Sequence, residues 1–391
     1  LFRSSVCRLV IEFYKRNYIE GLFLSSGVLK NPSYTMERIC ETLMLLRTKY
    51  RFNGYIHVKA IPGAPDELLS RAGYLADRVS INLELPTAQS LSKLAPNKSF
   101  KTILEPMEKI TGTIAANRLA LGKDARMERS SINRYLTGSI FNQNGTDNGQ
   151  AALSGTQRTA LESGDKLSLP AVSKDMCVKR PFAPAGQSTQ MIIGATPETD
   201  LTLIRTTQHL YKNYDLKRVF YSAYISLNED SALPQLDADV PLLREHRLYQ
   251  ADWLLRFYGF QADELLSESR PNFNEQLDPK CDWAIRHLGQ FPVEVQNASY
   301  DMLLRIPGIG PKSARRIVET RRYAKLDFDI LKKIGVVLKR AHYFITCNGR
   351  MMYRIPIEES YITSCLTDDN HKENWEITHQ NEKYHQLSLF E

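Results

Sequence analysis

Hydrophobic and polar positions follow two different periods along the first two thirds of the chain. Short apolar runs typical of strands are separated by segments whose apolar residues recur at helical spacing. Strands are predicted at 21–24, 54–59, 78–84, 190–194 and 219–225, and helices at 9–17, 34–50, 66–76, 100–117, 201–210 and 242–257. Strands separated by helices favour parallel βα units, which form either a barrel or an open wound sheet.

The alternation of strand and helix patterns stops at residues 142–179, which are rich in Gly, Ser, Thr, Asn and Gln and show little periodicity. This composition predicts a long, mobile insertion. The pattern as a whole predicts four parts, which are a βα domain over 1–240, a helical connector over 241–295, a small helical domain over 296–350, and an irregular, partly disordered tail over 351–391.

Polar residues gather where the predicted βα strands end. In parallel βα proteins the functional site lies at the carboxyl ends of the strands. One such residue is more often structural than functional, but five strand ends in succession predict a pocket for a ligand bearing hydroxyls, an amine or a carboxylate. The residues are Ser25, Ser26 and Gly27, then His57 and Lys59, then Ser80, Asn82 and Glu84, then 187–190 and 194–200, and finally Tyr224, Ser226 and Asn228.

Residues 303–318, Leu-Leu-Arg-Ile-Pro-Gly-Ile-Gly-Pro-Lys-Ser-Ala-Arg-Arg-Ile-Val, predict a tight hairpin between two helices. Gly308 and Gly310 are both expected to use their freedom to take positive φ. Pro311 suits the first position of the second helix. The free N–H groups at that helix start, with its dipole, predict an anion site for a phosphate. The residues predicted to contact it are Gly308, Ile309, Gly310, Lys312, Ser313, Arg315 and Arg316.

This combination resembles the helix-hairpin-helix, the sequence-independent DNA-binding motif of many repair enzymes. Residues 296–345 contain eleven Lys and Arg against four Asp and Glu, so their excess of seven positive charges equals the net charge of the whole chain, +7. Such a concentration favours a polyanion partner. The alternative is an ordinary helical hairpin with a basic face. Residues 331–341 resemble a degenerate second copy around Gly335.

Apolar residues are also expected to hold the hairpin together. They are Leu303, Ile306, Ile309, Ile317 and Val318, with Ala314 allowing the two helices to approach closely.

The composition of the chain limits the cellular locations in which the protein is expected. No apolar run has the length of a membrane span, and the first residues do not form a secretory signal. The six cysteines contain no Cys-x-x-Cys pair, so neither a disulfide framework nor a local metal site is predicted. We therefore expect a cytoplasmic protein without a membrane partner.

Several segments resemble the DNA modification or repair branch of the radical S-adenosylmethionine superfamily. They are 11–28, Ser-Ile-Asn-Leu-Glu-Leu-Pro (80–86), 185–200 and Phe-Tyr-Ser-Ala-Tyr-Ile (220–225), and the resemblance extends from about residue 9 to 350. It implies a partial (β/α)6 TIM-like barrel followed by a small all-α helix-hairpin-helix domain. It also implies cleavage of S-adenosylmethionine with electrons from an electron donor, and hydrogen abstraction from a nucleic acid by the 5′-deoxyadenosyl radical.

The resemblance assigns cofactor residues at the strand ends. Ser25, Ser26 and Gly27 take the place of the motif that receives the amino group of S-adenosylmethionine. Asn82 and Glu84 lie on the strand that meets its ribose and carboxylate. Ile192, Gly194 and Glu198 match the stretch beside its adenine.

The sequence lacks the cysteine motif that this superfamily uses to bind its iron–sulfur cluster. The superfamily binds a 4Fe–4S cluster through Cys-x3-Cys-x2-Cys, which is absent from this sequence. Because that loop precedes the helix with which this chain begins, we expect an amino-terminally truncated, inactive form in which no cysteine is a cluster ligand. No catalytic residue is assigned.

Two other classes of function remain open. One is a non-catalytic DNA-binding protein with a vestigial barrel. The other is a helix-hairpin-helix glycosylase, which would place a catalytic Asp soon after the hairpin. Asp327 and Asp329 are predicted instead to cap the next helix, which disfavours the glycosylase.

Overall fold

A computed structural model describes residues 2–120, 180–226, 233–235 and 239–367. The chain divides into two compact units, the half-barrel unit (Leu1–Arg256 and Phe260–Asn272) and the hairpin unit (Phe257–Gly259 and Phe273–Glu391). The segment 241–295, predicted as a connector, contributes residues to both units. The insertion predicted at 142–179 lies outside the described residues.

The half-barrel unit alternates helices and strands. Its elements are α1 (Phe2–Lys15), β1 (Gly21–Leu24), α2 (Pro32–Thr48), β2 (Tyr55–Lys59), α3 (Asp66–Leu75), β3 (Arg78–Ser80), α4 (Ala88–Leu94), α5 (Phe100–Ala120), β4 (Gln187–Ile193), α6 (Asp200–Tyr214), β5 (Arg218–Ala223), α7 (Leu242–Phe257) and α8 (Ala262–Leu265).

The five strands form one sheet in the order β1-β2-β3-β4-β5, and every neighbouring pair is parallel. This spatial order equals the chain order, with none of the reversal that marks a doubly wound sheet. The sheet curls into a half-barrel whose edges are β1 and β5. Of the two predicted alternatives, the structure therefore has the barrel-like winding, with five strands in the described part of the half-barrel unit.

Alternation along the strands separates two faces of the sheet. On β2, Ile56 and Val58 are fully buried, whereas Tyr55, His57 and Lys59 on the opposite face retain exposure. The same alternation on β4 and β5 buries Met191, Ile193, Val219 and Tyr221. The opposite face of the sheet retains exposure and carries both polar and apolar side chains, among them His57, Gln190, Phe23, Ile192 and Phe220.

The third strand is shorter than its sequence pattern predicts. It ends at Ser80, and the chain then leaves the ladder because the Thr189 hydroxyl accepts the Leu83 N–H at 2.9 Å. The chain rejoins the sheet at Glu84, which has φ +67° and forms an isolated parallel bridge to Met191. Polar residues predicted on one continuous strand therefore lie partly in a bulged loop.

The hairpin unit is mostly helical. Its elements are α9 (Pro279–Arg286), a 3₁₀ turn (Leu288–Gln290), β6 (Val293–Glu294), α10 (Tyr300–Arg305), α11 (Pro311–Thr320), α12 (Phe328–Lys333), α13 (Leu338–Ala341), β7 (Ile345–Thr346) and α14 (Glu359–Thr367).

Two features of this unit differ from the sequence pattern. β7 lies inside the domain predicted to be all-α, and it pairs in parallel with β6 at the end of the predicted connector. The tail predicted to be irregular contains α14, which is anchored by the fully buried Ile362 and contacts α9. Isolated apolar positions in a polar segment can order a helix when tertiary contacts bury them.

Within the described residues, no helix combines the length and apolarity that a membrane span requires.

Candidate nucleic-acid interface and strand-end site

The first hairpin joins α10 to α11 through residues 306–310. Ser299 caps α10 by accepting the Met302 N–H, and Pro311 occupies the first position of α11 as predicted. The apolar residues predicted to hold the two helices together lie in the core, with Val318 half-buried. The fully or almost fully buried ones are Leu303, Ile306, Ile309, Ala314 and Ile317.

The two glycines of this hairpin differ in conformation. Gly308 has φ +82°, as predicted. The prediction of positive φ at Gly310 is wrong, because this residue has φ −96° and ψ 173°, an extended conformation open to any residue. A Cβ at Gly308 would collide with the Val337 carbonyl oxygen, whereas a Cβ at Gly310 would meet only the Tyr258 hydroxyl at 3.4 Å.

The second copy predicted around Gly335 has the same local geometry. α12 and α13 flank Gly335, which has φ +92°. Asp327 caps α12 by accepting the Ile330 N–H at 2.7 Å, which confirms its predicted capping role. The structure thus contains a second pair of short helices joined around a glycine with positive φ, directly after the first hairpin.

Three hydrogen bonds join the two hairpins. The Val337 N–H donates to the Gly308 carbonyl at 2.9 Å, and the Ser313 hydroxyl donates to the Gly335 carbonyl at 2.8 Å. The Arg316 guanidinium donates to the Ile334 carbonyl at 3.0 Å. The side chain of Ser313, predicted to contact DNA, is therefore buried between the hairpins.

Positive charge surrounds both hairpins. In the first, Lys312 and Arg316 are exposed, while Arg315 is half-buried with its Nε 3.7 Å from the Glu319 carboxylate. Arg340 pairs with Asp278 at 2.9 Å. The exposed lysines of the second hairpin are Lys332, Lys333 and Lys339.

Sequence reasoning missed Lys280, which is only 7% exposed. Its ammonium donates a hydrogen bond of 2.6 Å to the Ile309 carbonyl in the first hairpin. Nothing in the local pattern distinguishes it from a surface lysine in the first turn of a helix.

The half-barrel unit brings some predicted cofactor residues together at the carboxyl ends of its strands. Glu84 Oε1 lies 3.4 Å from the Lys59 ammonium and 3.0 Å from the Lys98 ammonium. The Asn82 amide donates to Gln190 Oε1 at 3.2 Å. Lys98, which precedes α5, was not anticipated. The result is a cluster of two ion pairs and one amide pair, formed by residues of β2, β4, the segment after β3 and the segment before α5.

Glu198, predicted to lie beside an adenine, follows β4 and precedes α6. Its carboxylate accepts a hydrogen bond of 2.7 Å from the Thr87 hydroxyl. Burial acts to raise the pKa of Glu198, but hydrogen bonds from Ser90, Thr196 and Thr87 outweigh it, so the net pKa is below its usual value. Arg244 donates to the Glu198 carbonyl at 2.6 Å. Glu198 is therefore an anion that local donors hold in place.

The other predicted cofactor residues are less enclosed. Ser25 and Gly27 are exposed, and the Ser26 hydroxyl donates to the Gly27 carbonyl at 2.8 Å. Gly194 has φ +86°, and a Cβ there would lie 2.7 Å from the Pro241 ring. Ile192 is half-buried on β4, on the face of the sheet opposite to the buried Met191 and Ile193.

The residues present do not fit an iron–sulfur cluster. No group of three or more His, Cys, Asp or Glu side chains in the described ranges could hold a metal ion. Four of the five described cysteines are buried, and the full sequence lacks the required triplet.

Comparison with known families identifies a helix-hairpin-helix motif at residues 293–320. The matched residues run from β6 to the end of α11, so they coincide with the first hairpin and its flanking helices. No curated protein and no solved structure matches the chain.

Proposed function

We propose that the hairpin unit binds the phosphate backbone of duplex DNA without reading base sequence. The observation that carries this proposal is the geometry of residues 306–311, where Gly308 takes positive φ and α11 begins at Pro311. The match of 293–320 to a motif that commonly binds nucleic acid supports it.

The chemistry of the first hairpin suits a phosphate. The first N–H groups of a helix have no acceptor within the helix, and they carry the positive end of its dipole. Lys312 and Arg316 place positive charge beside those groups on α11. Contacts of this kind go to phosphate oxygens, which are the same for every base pair, so they fix position without selecting sequence.

The second hairpin adds to this surface through charge. Its exposed Lys332, Lys333 and Lys339 lie on α12 and α13, and the three interhairpin hydrogen bonds hold these helices against the first hairpin. Two hairpins held as one body would contact more phosphates than either alone, and each phosphate neutralised strengthens the salt dependence of binding.

A salt series tests the proposal. Affinity for two duplexes of unrelated sequence would be measured with wild type, Lys312→Ala and Lys101→Ala. We expect Lys312→Ala to reduce the slope of log affinity against log salt by about one for both duplexes. Lys101 is the matched control, because its side chain is 79% exposed on α5 of the half-barrel unit. An unchanged slope in Lys312→Ala would place the nucleic-acid site elsewhere.

We infer as a second candidate that the strand ends of the half-barrel bind a nucleoside-type ligand of the S-adenosylmethionine class, as part of an enzyme that modifies or repairs DNA. The all-parallel half-barrel supports it, with Asn82 and Glu84 just after β3 and Gln190 on β4. Because the donor set does not fit the cluster, reductive cleavage and its electron donor are not proposed for the residues of this chain.

Calorimetry with S-adenosylmethionine and its demethylated product tests this second candidate. We expect weak binding to wild type and a clear loss in an Asn82→Ala, Glu84→Ala double variant. The matched control is Glu12→Ala, Asn213→Ala, which removes the same two residue types from exposed positions on α1 and α6. Equal signals for wild type and the strand-end double variant would remove Asn82 and Glu84 from the site.

A further inference from the structure

The amine of Lys280 is buried directly behind the tip of the first hairpin. Lys280 lies in the first turn of α9, and its Nζ is 2.6 Å from the Ile309 carbonyl oxygen and 4.6 Å from the centre of the Tyr258 ring. Lysines are rarely buried to this degree unless their charge has partners. Here the partners are one aromatic face and one backbone carbonyl, and that carbonyl belongs to the hairpin.

The peptide unit that Lys280 contacts also carries the N–H of Gly310. In a trans peptide the C=O and N–H point in opposite directions, so the Gly310 N–H is directed away from the Lys280 amine. Among the residues that the structure describes, none accepts a hydrogen bond from this N–H. A cation on the carbonyl side polarises the peptide and makes its N–H a stronger donor, as in other hydrogen-bond chains.

Residues at the start of α9 form hydrogen bonds with both hairpins. Asp278 caps α9 through the Lys280 and Cys281 N–H groups, and its other carboxylate oxygen accepts from Arg340 of α13 at 2.9 Å. Arg305 of α10 donates to the carbonyls of Tyr258 and Gly259, which fixes the segment whose aromatic ring lies against Lys280. Lys280 thus has a defined position relative to the hairpin.

We propose that Lys280 is a positioning residue for phosphate capture, which holds the Ile309–Gly310 peptide so that its N–H faces the phosphate and which couples DNA binding to the protonation of its own amine. This proposal rests on the proposed DNA-binding function of the hairpin unit. A phosphate held by the Gly310 N–H stabilises the ammonium, so the complex keeps a proton that the free protein partly loses.

The surroundings of Lys280 place this coupling near neutral pH. Burial lowers the pKa of Lys280 to about 7, with nearby Arg305 and Arg340 acting in the same direction and Asp278 and Cys281 opposing them. A bound phosphate adds negative charge and raises that pKa. Affinity for DNA should therefore fall as pH rises through 7 and above, because the amine loses the proton that the phosphate favours.

The test is the pH profile of affinity for one 20-base-pair duplex at constant ionic strength, using wild type, Lys280→Met and Lys312→Ala. We expect wild type to lose about tenfold in affinity between pH 6 and 9, for a change of about one pKa unit on binding. Lys280→Met should bind more weakly at pH 6 and show no such decline. Lys312→Ala should bind more weakly at every pH and retain the decline.

A measurement on wild type alone covers the case in which Lys280→Met does not fold. Calorimetry at pH 7.5 in two buffers of different ionisation enthalpy gives the number of protons taken up on binding, and we expect a fractional uptake. The role of Lys280 would be overturned if wild type takes up no protons on binding, or if Lys280→Met has the same pH profile as wild type. In either case the proposed binding of duplex DNA would be unaffected. Absence of duplex binding by wild type would instead overturn the proposed function, and this inference with it.

Discussion

The backbone N–H of Val337 donates a hydrogen bond of 2.9 Å to the carbonyl oxygen of Gly308. These residues belong to different hairpins, 29 positions apart in the numbering of the chain. The bond explains why Gly308 is a glycine, since the second hairpin approaches its Cα so closely that any Cβ would meet backbone atoms of Val337 and Ala341. The two hairpins are therefore one packed body.

Replacing Gly308 should destabilise the hairpin unit. Gly308→Ala would force a side chain into φ +82°, which costs about 1–3 kcal/mol, and would add a collision with the Val337 carbonyl. We expect its urea-unfolding midpoint to fall well below that of wild type. Gly310→Ala is the matched control, because its extended backbone accepts a side chain. Equal loss of stability in the two variants would contradict this account of the hairpin.

The Ser313 hydroxyl should contribute to stability. Ser313→Ala leaves the Gly335 carbonyl without its 2.8 Å hydrogen bond, and we expect a loss of about 1 kcal/mol in the free energy of unfolding. The slope of DNA affinity against salt should stay unchanged, because no charge is removed. Ser364→Ala serves as control, since this exposed hydroxyl bonds only within its own helix. Weaker duplex binding by folded Ser313→Ala at every salt concentration would show that Ser313 contacts phosphate after all.

Acid should destabilise the half-barrel unit through His57. Burial lowers the pKa of His57 to about 4, with Arg78 adding to the effect. The unfolded chain therefore binds the proton first as pH falls from about 6.5, and this contribution to stability is lost down to about pH 4. The loss amounts to at most about 3 kcal/mol at 1.36 kcal/mol for each pKa unit.

Urea unfolding at pH 7 and pH 4.5 measures this effect. His57→Gln should lose less stability between the two pH values than wild type does. His209→Gln, which alters an exposed histidine on α6, should behave like wild type. An acid loss in His57→Gln as large as that of wild type would assign the titration to other groups.

Iron should not assemble into a stoichiometric cluster on this chain. After anaerobic incubation with iron and sulfide, we expect far fewer than four irons per chain and no charge-transfer absorption, because three thiolates in the required spacing are absent. Reproducible binding of about four irons would show that other residues supply the ligands.

Thiol reactivity should single out Cys365 among the five described cysteines. Cys7, Cys40, Cys281 and Cys347 are buried, and burial raises the pKa of each thiol, to about 12 for Cys40 and Cys347. Thiolate is the reactive form, so these four should alkylate slowly in the folded protein. Mass spectrometry after brief iodoacetamide treatment would locate the label. Rapid labelling of Cys40 would indicate local opening between α2 and α3.

The amino-acid sequence determined the elements and the hairpin. Short apolar runs separated by segments with helical spacing located all five strands of the sheet, with β1 at its predicted bounds. The Pro-Gly-Ile-Gly-Pro segment determined the first hairpin because its conformation depends on residues within one turn of each other. The second copy around Gly335 was visible for the same local reason.

Tertiary structure decided what depends on distant neighbours. Gly310 is extended rather than left-handed, and Ser313 faces Gly335 rather than solvent, because the second hairpin packs against the first. The bulge before Glu84 arises from a hydroxyl on β4 more than one hundred residues away. Lys280 acquires its buried contact with Ile309 only when α9 meets the hairpin. Spacing along a chain encodes local geometry, whereas the partner of a side chain is set by packing between segments that are far apart in sequence.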